Sequence, residues 1–205
     1  MSSFWYADAL GGLARLGLAQ FGRQALVGGN YGLLQEHTYE PNPDLYAAVA
    51  WKRLMGPEVL NATFSIDITG DGSSDADATQ LHVYAHCEAA GHWEERRGQQ
   101  RGREGEGGRA VTLLFINVSP ETEYALSVPQ AWQNDARERR EWHFTAAGVY
   151  SREVLLNGAP LVAAPTGALP ALPPKMAAAG GPVVAQPLSY GFAVLEDVAC
   201  PAKRR

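Results

Sequence analysis

Residues 111–118 read VTLLFINV, a run that is apolar at nearly every position. Side chains of a strand alternate between two faces, so a strand without a polar face has to be covered on both sides. A chain containing this run therefore needs a central strand with one layer above it and another below. Other segments supply neighbours for it. Leu81, Val83, Ala85 and Cys87 share one face of a strand whose other face carries His82, Tyr84 and His86. Leu188, Tyr190, Phe192 and Val194 alternate as a closing strand, and residues 59–68, 124–128 and 141–145 read as further strands. Asn157-Gly158 is the dipeptide that favours a type I′ hairpin turn. Short strands separated by turn signals argue for an antiparallel sandwich.

Upstream of Pro57 the texture is different. Ser3 is placed to cap a helix whose positions Trp5, Ala9, Leu10, Leu13 and Leu16 recur at helical spacing, weakened by the Gly11-Gly12 pair. A short strand over residues 24–27 stops at Gly28-Gly29. A second helix opens at Pro43-Asp44, with Leu45, Ala48, Val49 and Lys52 on one stripe, and Gly56-Pro57 ends it through a glycine C-cap. Helix, strand, helix is the order of an α/β unit. The expected division is residues 1–56 and 57–205, with loops over the charged, Gly-rich residues 88–109 and the Pro/Ala/Gly-rich residues 163–182.

Composition narrows the function classes. The net charge of −5 over 205 residues argues against a nucleic-acid surface, which is ordinarily basic. No apolar run is long enough to span a bilayer, and the N-terminus lacks the basic start and cleavage site of a secretory signal. Asn61 and Asn117 begin N-x-S/T sequons, which matter only in a secretory compartment.

The residues assemble no catalytic apparatus. His82 and His86 share a strand face about 13 Å apart at ~3.3 Å per residue, too far for one metal ion, and read as surface histidines. Glu36 and Glu40 read as solvated loop acids and Asp44 as a helix cap. Cys87 and Cys200 are compatible with one disulfide or with two buried thiols. Gly28-Gly29 is either a glycine-rich turn or a place where the backbone approaches something closely.

Read in order, SFWYADALG, RQALVGGNYGLL, YEPNPDLYAAVAWKRLMGPEVL, LHVYAHC, VTLLFINV, EVLLNGAPL and PLSYGFAVLEDVAC resemble the heparanase-like family of retaining glycoside hydrolases, especially its plant-type members. The resemblance implies an α+β chain: a C-terminal remnant of a (β/α)8 barrel in residues 1–56, then an antiparallel β-sandwich in 57–205. It implies that Gly29, Asn30 and Tyr31 line a sugar subsite, a backbone amide and the tyrosine hydroxyl holding a uronic-acid carboxylate, with Gln24 in the same cleft. Active sites of such barrels lie at the C-terminal ends of the strands, where this segment would fall. The implied partners are a glucuronide or glucuronic-acid-containing polysaccharide and the upstream barrel segment of the same protein. No cofactor or metal is implied. Secretory routing, a Cys87–Cys200 bridge and a glycan on Asn61 follow from the resemblance as well. The family's two catalytic glutamates come from strands upstream of SFWY, so this chain is expected to be inactive alone. The alternative is a non-catalytic carbohydrate-binding or scaffolding sandwich.

Overall fold

The computed structural model describes residues 1–29, 31–64, 79–89, 110–128, 138–163, 167–178, 180–196, 198 and 200. Among these residues two helices, α1 (Ser2–Arg15) and α2 (Pro43–Leu54), precede ten strands. These are β1 (Met55–Leu60), β2 (Leu81–Glu88), β3 (Ala110–Asn117), β4 (Tyr124–Leu126), β5 (Glu138–Thr145), β6 (Leu155–Leu156), β7 (Ala159–Pro160), β8 (Lys175–Ala178), β9 (Val183–Ala185) and β10 (Ser189–Glu196). Eight of them form one antiparallel sheet in the order β1-β2-β3-β10-β5-β6-β7, with β8 also paired to β5. The other two, β4 and β9, make a separate ribbon.

The doubly apolar run is β3, between β2 and β10, as its lack of a polar face requires. Leu114 and Ile116 join Trp142, Phe144, Tyr190, Phe192 and Val194 in a core that also holds Ala7 of α1 and Tyr46, Ala47, Ala50 and Leu54 of α2. On the opposite face, Phe115 and Ala193 pack with Tyr124, Val183 and Ala185 of the ribbon. The sheet thus has helices on one side and a β-ribbon on the other. Among the described residues the second β layer is these two strands, less than the sandwich expected.

The hairpin at Asn157-Gly158 forms as anticipated: both residues have positive φ, 51° and 83°, joining β6 to β7. Several expectations need correcting. Trp5 is 56% exposed and Leu16 81% exposed, while Ser3, Tyr6, Ala7 and Gly11 are the buried positions of α1. Ser3 therefore lies inside the helix, and Met1 is the N-cap. In α2 the buried stripe is Tyr46, Ala47, Ala50 and Leu54 rather than Leu45, Ala48, Val49 and Lys52. Both helices are apolar on more than one side, so periodicity did not select the buried face.

Gly56 does not cap α2. The chain passes from Leu54 straight into β1, whose Gly56-Pro57 is tolerated because β1 is the sheet edge. The strand expected over residues 59–68 accordingly begins at Met55 and ends at Leu60, and residues 65–68 lie outside those described. Residues 24–27 form no strand. Val27 makes one isolated parallel bridge to Leu34, since no neighbouring strand among the described residues pairs there. Part of the expected loop over residues 163–182 is strand β8 on β5, and Trp142 Nε1 donates to Leu172 O at 2.8 Å, tying that segment down. The expected insertion at 88–109 falls almost wholly outside the described residues; Glu88 ends β2.

Candidate functional site

The first turn of α1, the segment around Arg23 and the ring of Tyr31 enclose an open groove of about 530 Å³. Its lining includes Trp5, Phe21, Arg23, Gln24 and Tyr31, so the structure brings Gln24 and Tyr31 together. Trp5, Tyr6 and Phe21 form an aromatic cluster, with ring centroids 6.0 to 6.4 Å apart. The Arg23 guanidinium sits 5.2 Å from the Trp5 ring centroid and 5.1 Å from that of Tyr6, within cation–π range.

Arg23 organises this region. Its Nη2 donates to the Tyr31 carbonyl at 2.8 Å and pairs with Asp44 Oδ2, and the side chains of both Arg23 and Asp44 are almost fully buried. Asp44 is thus a buried ion-pair partner in the first turn of α2, not the expected cap; Asn42 holds the N-cap position. Burial pushes the Asp44 carboxyl above the usual carboxylate range, and the Arg23 charge works against that rise. The Asn42 side chain donates to Gly32 O at 2.7 Å, which fastens the Tyr31 loop to α2. Leu33 N and Leu34 N donate to Ala25 O and Leu26 O, closing the loop on itself.

Gly28 and Gly29 have φ of 91° and 66°, the left-handed region that disfavours side chains. Among the described residues, nothing beyond its chain neighbours lies within 4 Å of where a Gly28 Cβ would stand. Gly29 lies beside the Tyr31 ring, its ideal Cβ position 3.8 Å from Tyr31 Cζ. Asn30 lies outside the described residues. Tyr31 is 58% exposed and lines the groove, and a tyrosine offers both an apolar ring and a polar hydroxyl. Sequence reasoning missed Arg23, Trp5 and Phe21 as groove residues. The available signal was an arginine in an apolar context directly before Gln24.

Elsewhere, Cys87 and Cys200 form a disulfide, Cα to Cα 5.7 Å, the pairing that the resemblance implied. Asn61 is exposed just beyond β1. Asn117 is fully buried and donates through Nδ2 to the carbonyls of Thr122, Ala185 and Gln186, so its sequon marks a structural corner. Nor are the histidines of β2 free surface groups. His86 is buried against Trp51, with Nδ1 2.7 Å from Gly56 O, and burial lowers its pKa. His82 pairs with Asp8. The helices cover the face that strand periodicity had left open to solvent.

The same fold occurs in a carbohydrate-cleaving enzyme, the GH51 α-L-arabinofuranosidase of Thermotoga petrophila RKU-1. That structure matches with a TM-score of 0.54 at 12% identity, over 95% of this chain and 38% of the other. Sequence relatives are closer. Heparanase-like protein 1 of Arabidopsis thaliana is 34% identical over 96% of this chain and 37% of its own length. Baicalin-beta-D-glucuronidase of Scutellaria baicalensis is 36% identical over 85% of this chain and 28% of its own length. The chain belongs to the heparanase-like family. It spans about a third of the length of these curated relatives. No family model matches it. No helix among the described residues is long and apolar enough to cross a membrane.

Proposed function

We propose that this chain is the C-terminal part of a retaining glycoside hydrolase that cleaves at glucuronic acid residues, and that it supplies one wall of the sugar groove. In this reading residues 1–56 complete a (β/α)8 barrel and residues 57–205 are its C-terminal β domain. The carrying observation is the groove itself: two exposed aromatic rings, Trp5 and Tyr31, line it with Arg23 and Gln24, and no carboxylate is among its described lining residues. A retaining mechanism needs two carboxyl groups about 5 to 5.5 Å apart, one protonating the leaving oxygen and one attacking the anomeric carbon. Asp44 is buried in its ion pair with Arg23 and is not among the described lining residues. Both reacting acids then belong to the upstream barrel segment, and this chain alone is inactive.

The glucuronide substrate class is supported by the name of the Scutellaria relative. Exposed Trp5, Leu16, Leu18 and Leu26 support a partner segment that covers residues 1–56. Tyr31 Oη and the backbone around Gly29 are the groups assigned to the sugar carboxylate. Secretory routing and a glycan on exposed Asn61 belong to the same reading.

The test is an aryl β-D-glucuronide assay. The 205-residue chain should show no turnover, and the chain joined to a barrel segment carrying both glutamates should show it. In the joined protein Tyr31→Phe should lower kcat/KM by roughly 10- to 100-fold, the value of a hydrogen bond to a charged group. Turnover by the isolated chain, or a folded joined protein that binds the glucuronide without cleaving it, would overturn the assignment. The second result would mark a non-catalytic binding module.

A further inference from the structure

The joint between α1 and the sheet contains a histidine with acceptors at both ring nitrogens. His82 Nδ1 lies 2.5 Å from Asp8 Oδ1, and Nε2 lies 3.1 Å from the Thr79 carbonyl oxygen. A carbonyl only accepts. Asp8 Oδ1 is also an acceptor here, since Tyr84 Oη donates to it at 2.6 Å. A neutral imidazole carries one N–H and can satisfy one of these two contacts; the imidazolium satisfies both.

We propose that His82 is a cationic pin: doubly protonated, it fastens α1 to β2 through Asp8, and it loosens that joint as pH rises. The charged and titratable groups packed around it among the described residues are few. Asp8 comes from α1, and Tyr84 stands beside it on β2. Arg15, also on α1, acts on Tyr84 by its charge. His86, farther along β2, has its pKa lowered by burial and faces Trp51 of α2. The hydrogen bond to Asp8 raises the affinity of His82 for its proton, and the reciprocal bond holds the Asp8 carboxyl below the ordinary range.

The sign follows from linkage. A group bound more tightly to its proton when folded stabilises the fold fully below its unfolded pKa, about 6.5 for histidine, and loses that contribution as pH rises through its folded value. Asp8, shifted the other way, contributes above the ordinary aspartate value and loses its contribution as pH falls through its folded one. The pin therefore holds between the two limits and is lost both as pH rises through the folded His82 value and as it falls through the folded Asp8 value. Its consequence reaches the groove, because α1 also carries Trp5, one turn before Asp8. The inference stands independently of any glycosidase activity.

The experiment is an NMR titration of the 205-residue chain labelled in its five histidines, with His82 assigned by its loss in His82→Gln. The His82 midpoint should lie above about 6.5 and fall toward that value in Asp8→Asn. Thermal melting of wild type and His82→Gln should differ at pH 6 and converge as pH rises through the His82 midpoint. His82→Arg, a permanent cation, should keep its advantage over His82→Gln at pH 9. A His82 midpoint at or below about 6.5 overturns the proposal. So does a wild-type advantage that is constant from pH 5 to 9. Should the variants fail to fold, sequential assignment of the wild-type titration decides alone.

Discussion

Gly11 and Gly12 are adjacent in α1, and alanine at the two positions should act in opposite directions. An ideal Cβ on Gly11 would stand 2.7 Å from Tyr84 Cε2 and nearer still to Cγ and Cδ2. Ordinary carbon contacts are at about 3.5 to 4 Å, so the ring would have to withdraw by roughly 1 Å. It has little freedom to do so, because its hydroxyl donates to Asp8 on the same helix. Overpacking costs about 1–3 kcal/mol, and a loosened hydrogen bond adds about 0.5–1.5 kcal/mol. Against this stands the helical preference of Ala over Gly, about 1 kcal/mol. The net expectation for Gly11→Ala is a loss of about 0.5–3.5 kcal/mol. At Gly12 the same Cβ meets only Tyr84 Oη at 3.5 Å, an ordinary contact. Gly12→Ala should therefore stabilise by up to about 1 kcal/mol. For a domain of this size each kcal/mol moves Tm by about 2–4 °C, so circular-dichroism melts would resolve the two. Shifts of the same sign, or a Gly11→Ala protein melting with wild type, would show that α1 does not seat on Tyr84 as described.

Two further outcomes follow from buried and covalent links. The Cys87–Cys200 bridge closes a separation of 113 residues, and on the chain-entropy account it stabilises by about 5 kcal/mol. Reductant, or Cys200→Ser, should then lower Tm by about 10–20 °C, and a melt indifferent to reductant would contradict the pairing. Arg23→Met leaves Asp44, 1% exposed, without its guanidinium partner, with the Ser2 hydrogen bond and the N-terminal charge remaining, and should cost up to about 3–5 kcal/mol in urea titrations at pH 7. The double variant Arg23→Met/Asp44→Leu should recover most of that loss. No recovery would mean that Arg23 acts through its aromatic stack instead of the ion pair.

Much of the sheet was legible because strand periodicity answers a simple question. VTLLFINV has no polar face, so it had to be central, and Tyr190, Phe192 and Val194 had to share a side. The helices were less legible. α1 presents Phe4, Trp5, Tyr6, Ala7, Leu10 and Leu13 around most of its circumference, and a 3.6-residue period cannot choose among several apolar stripes. The structure chose the stripe with the smallest side chains, Ser3, Ala7 and Gly11, which lets the helix sit close to Tyr84. Of the groove, Gln24 and Tyr31 were legible through the family's segment, whereas Arg23 was not: its role depends on Asp44, 21 residues away, and on rings from another helix.

Local pattern alone therefore determined the central strand, the Asn157-Gly158 turn and the family, because each is written in contiguous residues. Tertiary structure decided which helix face is buried, that His86 is covered and His82 is paired with Asp8, and that Asp44 is an ion-pair partner and not a cap. Those outcomes depend on what packs opposite a residue, and periodicity along one element carries no information about its neighbour.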